Sequence, residues 1–345
     1  TIGLLAVILF DLWPVKTHFN PFQDMKDFYS RPGSISYLCD NLQWEPGNPD
    51  GPYRIARSWK RIFPPNIGMM YGLDDFGGYD SNLVGIYGEL LEQYDPSLLE
   101  GIHWIESPKK RDVFASKLWD MLGVKYILAL PGHMGQFGSS ERMRYPYINE
   151  LVVVENKNAL PRMHLTDRII MTNNKDDALL KTRWIVPQIE AVVLGEGPLP
   201  YGLESVEPFK FPDGDSKSTV ECDLELYYKA DESVGLYNSP GSVVITDYQP
   251  EKVTATVEAS RPSLVEFFDV YYPGWEVTVD GKRAGLERVD YAFKGVFVSE
   301  GKHEVIFSYK PKSLIQGALG SLIGLILTLI LVIPLSKIGG KSARE

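Results

Sequence analysis

Cysteine is almost missing from this chain of 345 residues: Cys39 and Cys222 stand far apart and outside any CxxC or Cys/His spacing. That excludes a thiolate zinc site, and two isolated thiols read first as small buried apolar groups. A basic surplus is missing too. The formal net charge is -10 and the pI is about 5.2, which excludes the cationic face that a nucleic acid partner needs. No nucleophile–base pair, paired-carboxylate motif or phosphate-cradling glycine loop stands at the spacing chemistry requires. His18, His103 and His303 belong to no motif. The expectation is a stretch with no catalytic residue, no metal and no cofactor of its own, which contributes by binding.

One further absence organises the chain. From Ser313 to Ser336 (SLIQGALGSLIGLILTLILVIPLS) there is no charge, and Lys312 and Lys337 bracket the run. A helix of that length, rising about 1.5 Å per residue, crosses the ~30 Å hydrocarbon core of a bilayer. Gly320 and Gly324 form a GxxxG pair that lets a second helix approach closely. At the other end, TIGLLAVILFDL before Trp13-Pro14 is apolar apart from Asp11 and too short to span alone. It reads as the outer half, residues 1–13, of a transmembrane helix whose first half is cut away. Trp13 and Tyr309 then fall at the membrane–water boundary. Lys337, Lys341 and Arg344 place the tail, 337–345, in the cytoplasm by the positive-inside rule. The localisation expected is the cell membrane, with everything between the apolar runs extracytoplasmic.

That block divides by pattern. Residues 14–200 alternate strand and helix signals, as α/β domains do. Strands are expected at 53–57, 124–130, 151–155 and 163–171. One helix starts near Leu83, capped by Asp80 or Ser81, buries Ile86, Tyr87, Leu90, Leu91 and Tyr94, and closes at Asp95-Pro96. A second runs from Ser107-Pro108 to Gly123, and a short one covers 176–182. Residues 201–312 read as an antiparallel β-sandwich, jelly-roll-like. Val253, Ala255 and Val257 alternate with polar residues, as do Trp275, Val277 and Val279, and Asp280-Gly281 signals a hairpin. Val305, Phe307 and Tyr309 lead straight into the transmembrane helix at 313–336. The expected class is α+β and membrane-anchored.

Five residues are singled out for binding: Asp75, Tyr79, Asp80, His133 and Arg162. Asp74-Asp75 with Asp80 offer carboxylate oxygens to a cation or to sugar hydroxyls, although turn and cap roles account for them as well. Tyr79 lies in the Gly-, Asp- and aromatic-rich loop 71–82. His133 lies in a second such loop, 131–140, just after a strand. Arg162 and His164 can meet a phosphate or form an ordinary salt bridge. Trp275 can stack on a sugar ring, but its alternation makes it a core residue.

Six pieces carry a family resemblance. They are YGLDDFGGYDS (71–81), LWDMLGVKYIL (118–128), ENKNALPRMHL (155–165), DVYYPGWEVTVDGK (269–282), RVDYAFKGV (288–296) and GKHEVIFSYKP (301–311). In that order they resemble the C-terminal part of bacterial YfhO-like membrane proteins. The resemblance implies a polytopic, GT-C-type glycosyltransferase-like protein that uses a polyprenyl-phosphate-linked sugar to glycosylate envelope glycopolymers such as teichoic acids. It also implies that the acidic catalytic residue sits in a first outer loop upstream, so no residue of this sequence inherits that role. N-terminal transmembrane helices become expected partners, and any divalent cation belongs to the parent enzyme. The competing expectation is a membrane-anchored structural module that binds carbohydrate or protein.

Overall fold

The computed structural model describes residues 31–58, 62, 64, 66–78, 83–99, 105, 117–136, 143–207 and 237–339. The first part builds one mixed sheet with helices on both faces. In chain order it contains α1 (Gly33–Asn41), β1 (Arg54–Arg57), β2 (Asp74–Asp75), α2 (Gly85–Tyr94), α3 (Lys117–Met121), β3 (Val124–Ala129), β4 (Met143–Ile148) and β5 (Val152–Asn156). The strand order is β2-β1-β3-β5-β4, with β1 parallel to β2 and β3, and β5 antiparallel to both its neighbours. Because strand side chains alternate, Ile55, Tyr126, Leu128 and Val153 face Ile35, Leu38 and Cys39 of α1. Ala56, Val124, Ile127, Val152 and Val154 face the opposite way, onto Leu90 and Leu91 of α2 and Leu118 and Trp119 of α3.

The helix expected from Leu83 begins at Gly85, with Val84 at its N-cap and no side-chain cap. Its inward stripe is the expected one, with Tyr87, Leu90 and Leu91 buried. Asp95 ends it and then caps the next turn, accepting from Ser97 N at 2.9 Å. Residues 106–116, expected to open the second helix, lie outside the described residues, as do Asp80 and Ser81. The end at Gly123 is observed in the left-handed region, φ +64°.

The remaining strands are β6 (Met163–Thr166), β7 (Arg168–Thr172), β8 (Glu190–Leu194), β9 (Gly241–Gln249), β10 (Lys252–Ala259), β11 (Ser263–Val270), β12 (Trp275–Val279), β13 (Lys282–Ala284), β14 (Glu287–Val289), β15 (Phe293–Val298) and β16 (Gly301–Tyr309), and α4 (Lys175–Trp184) stands between β7 and β8. The single strand expected over 163–171 is two, broken at Asp167. Asp167 accepts from Tyr237 Oη at 2.5 Å and pairs with Arg261. Thr166 Oγ1 donates to Ile189 O at 2.6 Å. Its halves end the strand order β6-β11-β15-β14-β8-β7. Since only Asp167 separates β6 from β7, which stand at the two ends of the order, this six-stranded sheet curls until the chain itself joins its two end strands.

The outer side of that curled sheet forms one layer of the sandwich. Met163, Leu165, Val265, Phe267, Val296 and Val298 pack against Val253, Ala255, Val257, Trp275, Val277, Val305 and Phe307 of the five-stranded antiparallel sheet β13-β12-β16-β10-β9. The sandwich therefore draws strands from both sides of residue 200. The hairpin at Asp280-Gly281 has positive φ at both positions, 52° and 73°, as a type I′ turn demands.

α5 (Lys312–Gly339) continues β16 with only Lys310 and Pro311 between. The junction is fixed on both sides: Tyr309 N donates to Glu251 O at 2.7 Å and Lys310 N to Gly274 O at 2.6 Å. Among the described residues this is the one helix long and apolar enough to cross a membrane, and no part of Lys312–Ile330 is buried within the protein. Leu314 is 70% exposed and Ile330 58%. Apolar side chains exposed all round a helix call for cover by something other than this chain. The architecture is α+β, a mixed sheet and a sandwich with one apolar helix at the C-terminal end.

Candidate functional site

The singled-out residues that the structure describes, Asp75, His133 and Arg162, fall at two opposite ends of the mixed sheet. At the carboxyl ends of the parallel strands, where open α/β sheets place their ligand loops, Arg57 ends β1 and Asp75 ends β2. The two pair directly, at 2% and 6% side-chain exposure. Asp75 Oδ1 also accepts from Gly77 N at 3.0 Å. Burial pushes the Asp75 carboxyl up, and Arg57 and the Gly77 amide pull against it. The next residue, Ser58, places its Oγ 3.2 Å from His133 Nδ1. Asp75 and His133 thus share one sheet edge, although 58 residue numbers separate them. Tyr79 and Asp80 lie outside the described residues.

Arg162 belongs to the other end. Its guanidinium pairs with Asp74 and reaches Asp269 Oδ1 at 3.7 Å. Arg54 Nη2 meets the same oxygen at 3.1 Å, and Lys294 Nζ meets Asp269 Oδ2 at 3.5 Å. Three cations therefore converge on Asp269, with Asp74 at the margin, and β1, β2, β11, β15 and the segment before β6 are tied at one point. Arg162 and Lys294 are all but enclosed, at 3% and 0% side-chain exposure. Arg54 Nη1 also donates to Leu122 O at 2.7 Å, and Arg162 Nε to Pro52 O at 3.2 Å. Lys294 lies 3.4 Å over the Trp275 ring and 4.6 Å over Phe267, a cation–π cover that replaces water in part. Burial pulls the Lys294 ammonium down to about 8 against the attraction of Asp269. Burial would raise Asp269, but Lys294, Arg54 and Arg162 together hold it below the usual carboxylate range. Asp74 and Asp75, adjacent in sequence, therefore serve different arginines.

Two further arrangements join residues from distant segments. His164, a phosphate candidate beside Arg162 in the sequence, instead faces Glu266 inside the curled sheet, Nε2 to Oε1 at 3.4 Å, with its ring stacked 5.4 Å from Phe268. Burial pulls its imidazole down to about 4, so it is uncharged at neutral pH and cannot meet a phosphate as a cation. Glu266 and Asp290 are both fully buried. Burial and mutual repulsion hold Glu266 well above the usual carboxylate range and burial takes Asp290 to about 7. Glu266 and Asp269 within the largely apolar SLVEFFDV are the available clue. The second arrangement is His303, whose Nδ1 lies 2.8 Å from Asp280 Oδ2 and whose Nε2 lies 3.2 Å from Ser299 Oγ and 3.1 Å from Ser299 O. The order Ser–His–Asp resembles a hydrolase triad. Nε2 is shared between the hydroxyl and the carbonyl of one residue, Ser299, in a local turn network. His303 ties the 280–281 hairpin to the 299–301 turn.

The buried acids give a signed expectation. Both fold with raised pKa, so the folded chain holds protons that the unfolded chain releases between the ordinary carboxylate range and the raised folded values, about 7 for Asp290. Their contribution is present at low pH and lost as pH rises through that window. Melting midpoints of the purified chain in detergent from about pH 5 to about pH 8 should fall more steeply than those of a Glu266→Gln/Asp290→Asn variant. Equal slopes would show that neither acid titrates in the fold.

With this geometry in place, the likeness to known proteins can be located on it. Residues 239–321 match the family model described as "Bacterial membrane protein YfhO". The match runs from just before β9 into α5 and includes Asp269, Trp275, Asp280 and Lys294. The chain is also 26% identical over 120 residues to the "Uncharacterized protein YfhO" of Bacillus subtilis (strain 168), which covers 34% of this chain and 14% of that protein. No solved structure matches. An α+β body continuing into an exposed apolar helix is the general class. More particularly, the chain is similar to the bacterial membrane protein YfhO over residues 239–321, and it spans only a small part of the length of the relative it matches.

Proposed function

We propose that this chain is the extracytoplasmic C-terminal region of a polytopic, GT-C-type glycosyltransferase-like membrane protein. It acts with a polyprenyl-phosphate-linked sugar on cell-envelope glycopolymers and holds no catalytic residue itself. Any divalent cation the reaction uses is bound elsewhere in the parent enzyme, among its N-terminal transmembrane helices and loops. The observation that carries this reading is the unbroken passage from β16 into α5 within the segment that matches YfhO. It holds the whole folded body a two-residue link from the bilayer surface. At that distance the body can position an acceptor polymer or a lipid-linked donor. The edge bearing Ser58 and His133 is the acceptor surface.

His133→Ala in the whole protein tests this. Loss of one hydrogen-bonding side chain should raise KM for the acceptor about fivefold and leave most of kcat, since the contact is made equally in ground and transition states. Asp75 is a poor probe, because its removal strands Arg57 in the core. Complete loss of sugar transfer by a folded His133→Ala protein would contradict a non-catalytic role. So would turnover by residues 1–345 alone. An unchanged KM for acceptor and donor would favour the anchored binding module instead.

A further inference from the structure

We infer that the cleft between the sandwich and α5 binds the phosphate headgroup of an anionic lipid. The inference rests on the reading that α5 crosses a bilayer. The cleft has a volume of about 460 Å³ and is lined by Trp275, Glu276, Arg283, Tyr309, Lys310 and Lys312, among others. Arg283 and Glu276 neutralise each other at 3.1 Å. Lys310 and Lys312 form no ion pair among the described residues, so two positive charges face the cleft uncompensated. Its apolar wall is aromatic: Trp275 and Tyr309 have ring centroids 5.5 Å apart, and Tyr272 lies 5.2 Å from Tyr309.

Position selects the ligand. The cleft opens at the first turn of α5, immediately before Leu314 and Ile315, which are 70% and 64% exposed. If those side chains enter hydrocarbon, Lys310 and Lys312 stand at headgroup depth beside amphipathic rings suited to that layer. The cleft is also preformed. Gly274 has φ +110°, and a Cβ there would come within 2.7 Å of the Tyr309 ring. A glycine is therefore required for the 273–275 turn to close over β16. A lipid phosphate is delivered by the bilayer at high local concentration, an advantage a dissolved anion lacks.

The test uses the purified chain in neutral detergent, titrated with dihexanoyl-phosphatidylglycerol, dihexanoyl-phosphatidylcholine or inorganic phosphate. The glycerol lipid should bind most tightly. Lys310→Gln and Lys312→Gln should each weaken it about fivefold, whereas Lys302→Gln, at the opposite end of β16, should change it by less than about twofold. Equal affinity for the two lipids, or no response to the Lys310/Lys312 changes, would overturn the headgroup site. Inorganic phosphate binding as tightly as the lipid would overturn the lipid as its source. Alkaline extraction from phosphatidylcholine vesicles reads the underlying assumption separately. A chain released by alkali overturns the membrane-spanning reading as well, while a retained chain with no lipid preference overturns the headgroup site alone.

Discussion

Asp269→Asn should lower the unfolding free energy by about 3 kcal/mol, the low end of what removing one partner from a buried ionic cluster costs, because Asp269 is 33% exposed while Arg162 and Lys294 are enclosed. The side chain keeps its shape and loses the charge that Arg54, Arg162 and Lys294 share. Arg162 retains Asp74, which is half-exposed. Lys294 retains nothing of opposite charge and cannot reach water. The single change should therefore loosen the attachment of the mixed sheet to the sandwich, since Arg54 belongs to the first and Asp269 and Lys294 to the second. Adding Lys294→Met should recover much of the loss, because an apolar chain of similar length fits between Trp275 and Phe267 without a counter-ion. Denaturant unfolding in detergent, followed by tryptophan fluorescence, measures both. A loss under about 1 kcal/mol in Asp269→Asn would mean that the cluster is solvated and contributes little.

Trp275→Ala should be comparably severe, about 3–5 kcal/mol. The indole is 6% exposed and packs in the sandwich core with Val277 and Phe307. It also forms the ring over Lys294 and one wall of the aromatic group with Tyr272 and Tyr309. Truncation thus opens a cavity and removes the cover from a buried cation together. Trp275→Phe keeps a ring in both places and should lose clearly less. A sugar-stacking role on the surface would give the opposite pattern, with little change in stability for either variant.

The residues that made these elements legible are those whose pattern is local. Trp275, Val277, Val305 and Phe307 announce an inward face by period two, and the charge-free run after Lys312 announces its own environment. What escaped is set by partners distant in sequence. The stretch 163–172 alternates like one strand, and nothing local reveals that Leu165 pairs with Val265 while Ile170 pairs with Val192. The change of composition near residue 200 suggested a division, yet hydrogen bonding runs across it through β8 and β14. Asp269, Glu266 and Lys294 interrupt apolar runs, a sign of enclosed polar work. Their partners come from several separate segments, so their roles could not be assigned one strand at a time. Arg162 is legible by its residue type, whereas nothing local inside DVYYPGW marks Asp269 as its neighbour. His303 had no motif because its contacts span a hairpin and a turn.

Sidedness is the most direct test of the proposal that this body works outside the membrane, anchored by α5. In intact cells carrying the whole protein with all its native cysteines, Cys39 and Cys222 among them, replaced by Ser, a membrane-impermeant maleimide should label Ser242→Cys, an exposed position on β9. Ser342→Cys should react only after the membrane is permeabilised. Labelling of Ser342→Cys in intact cells, with Ser242→Cys protected until permeabilisation, would contradict it.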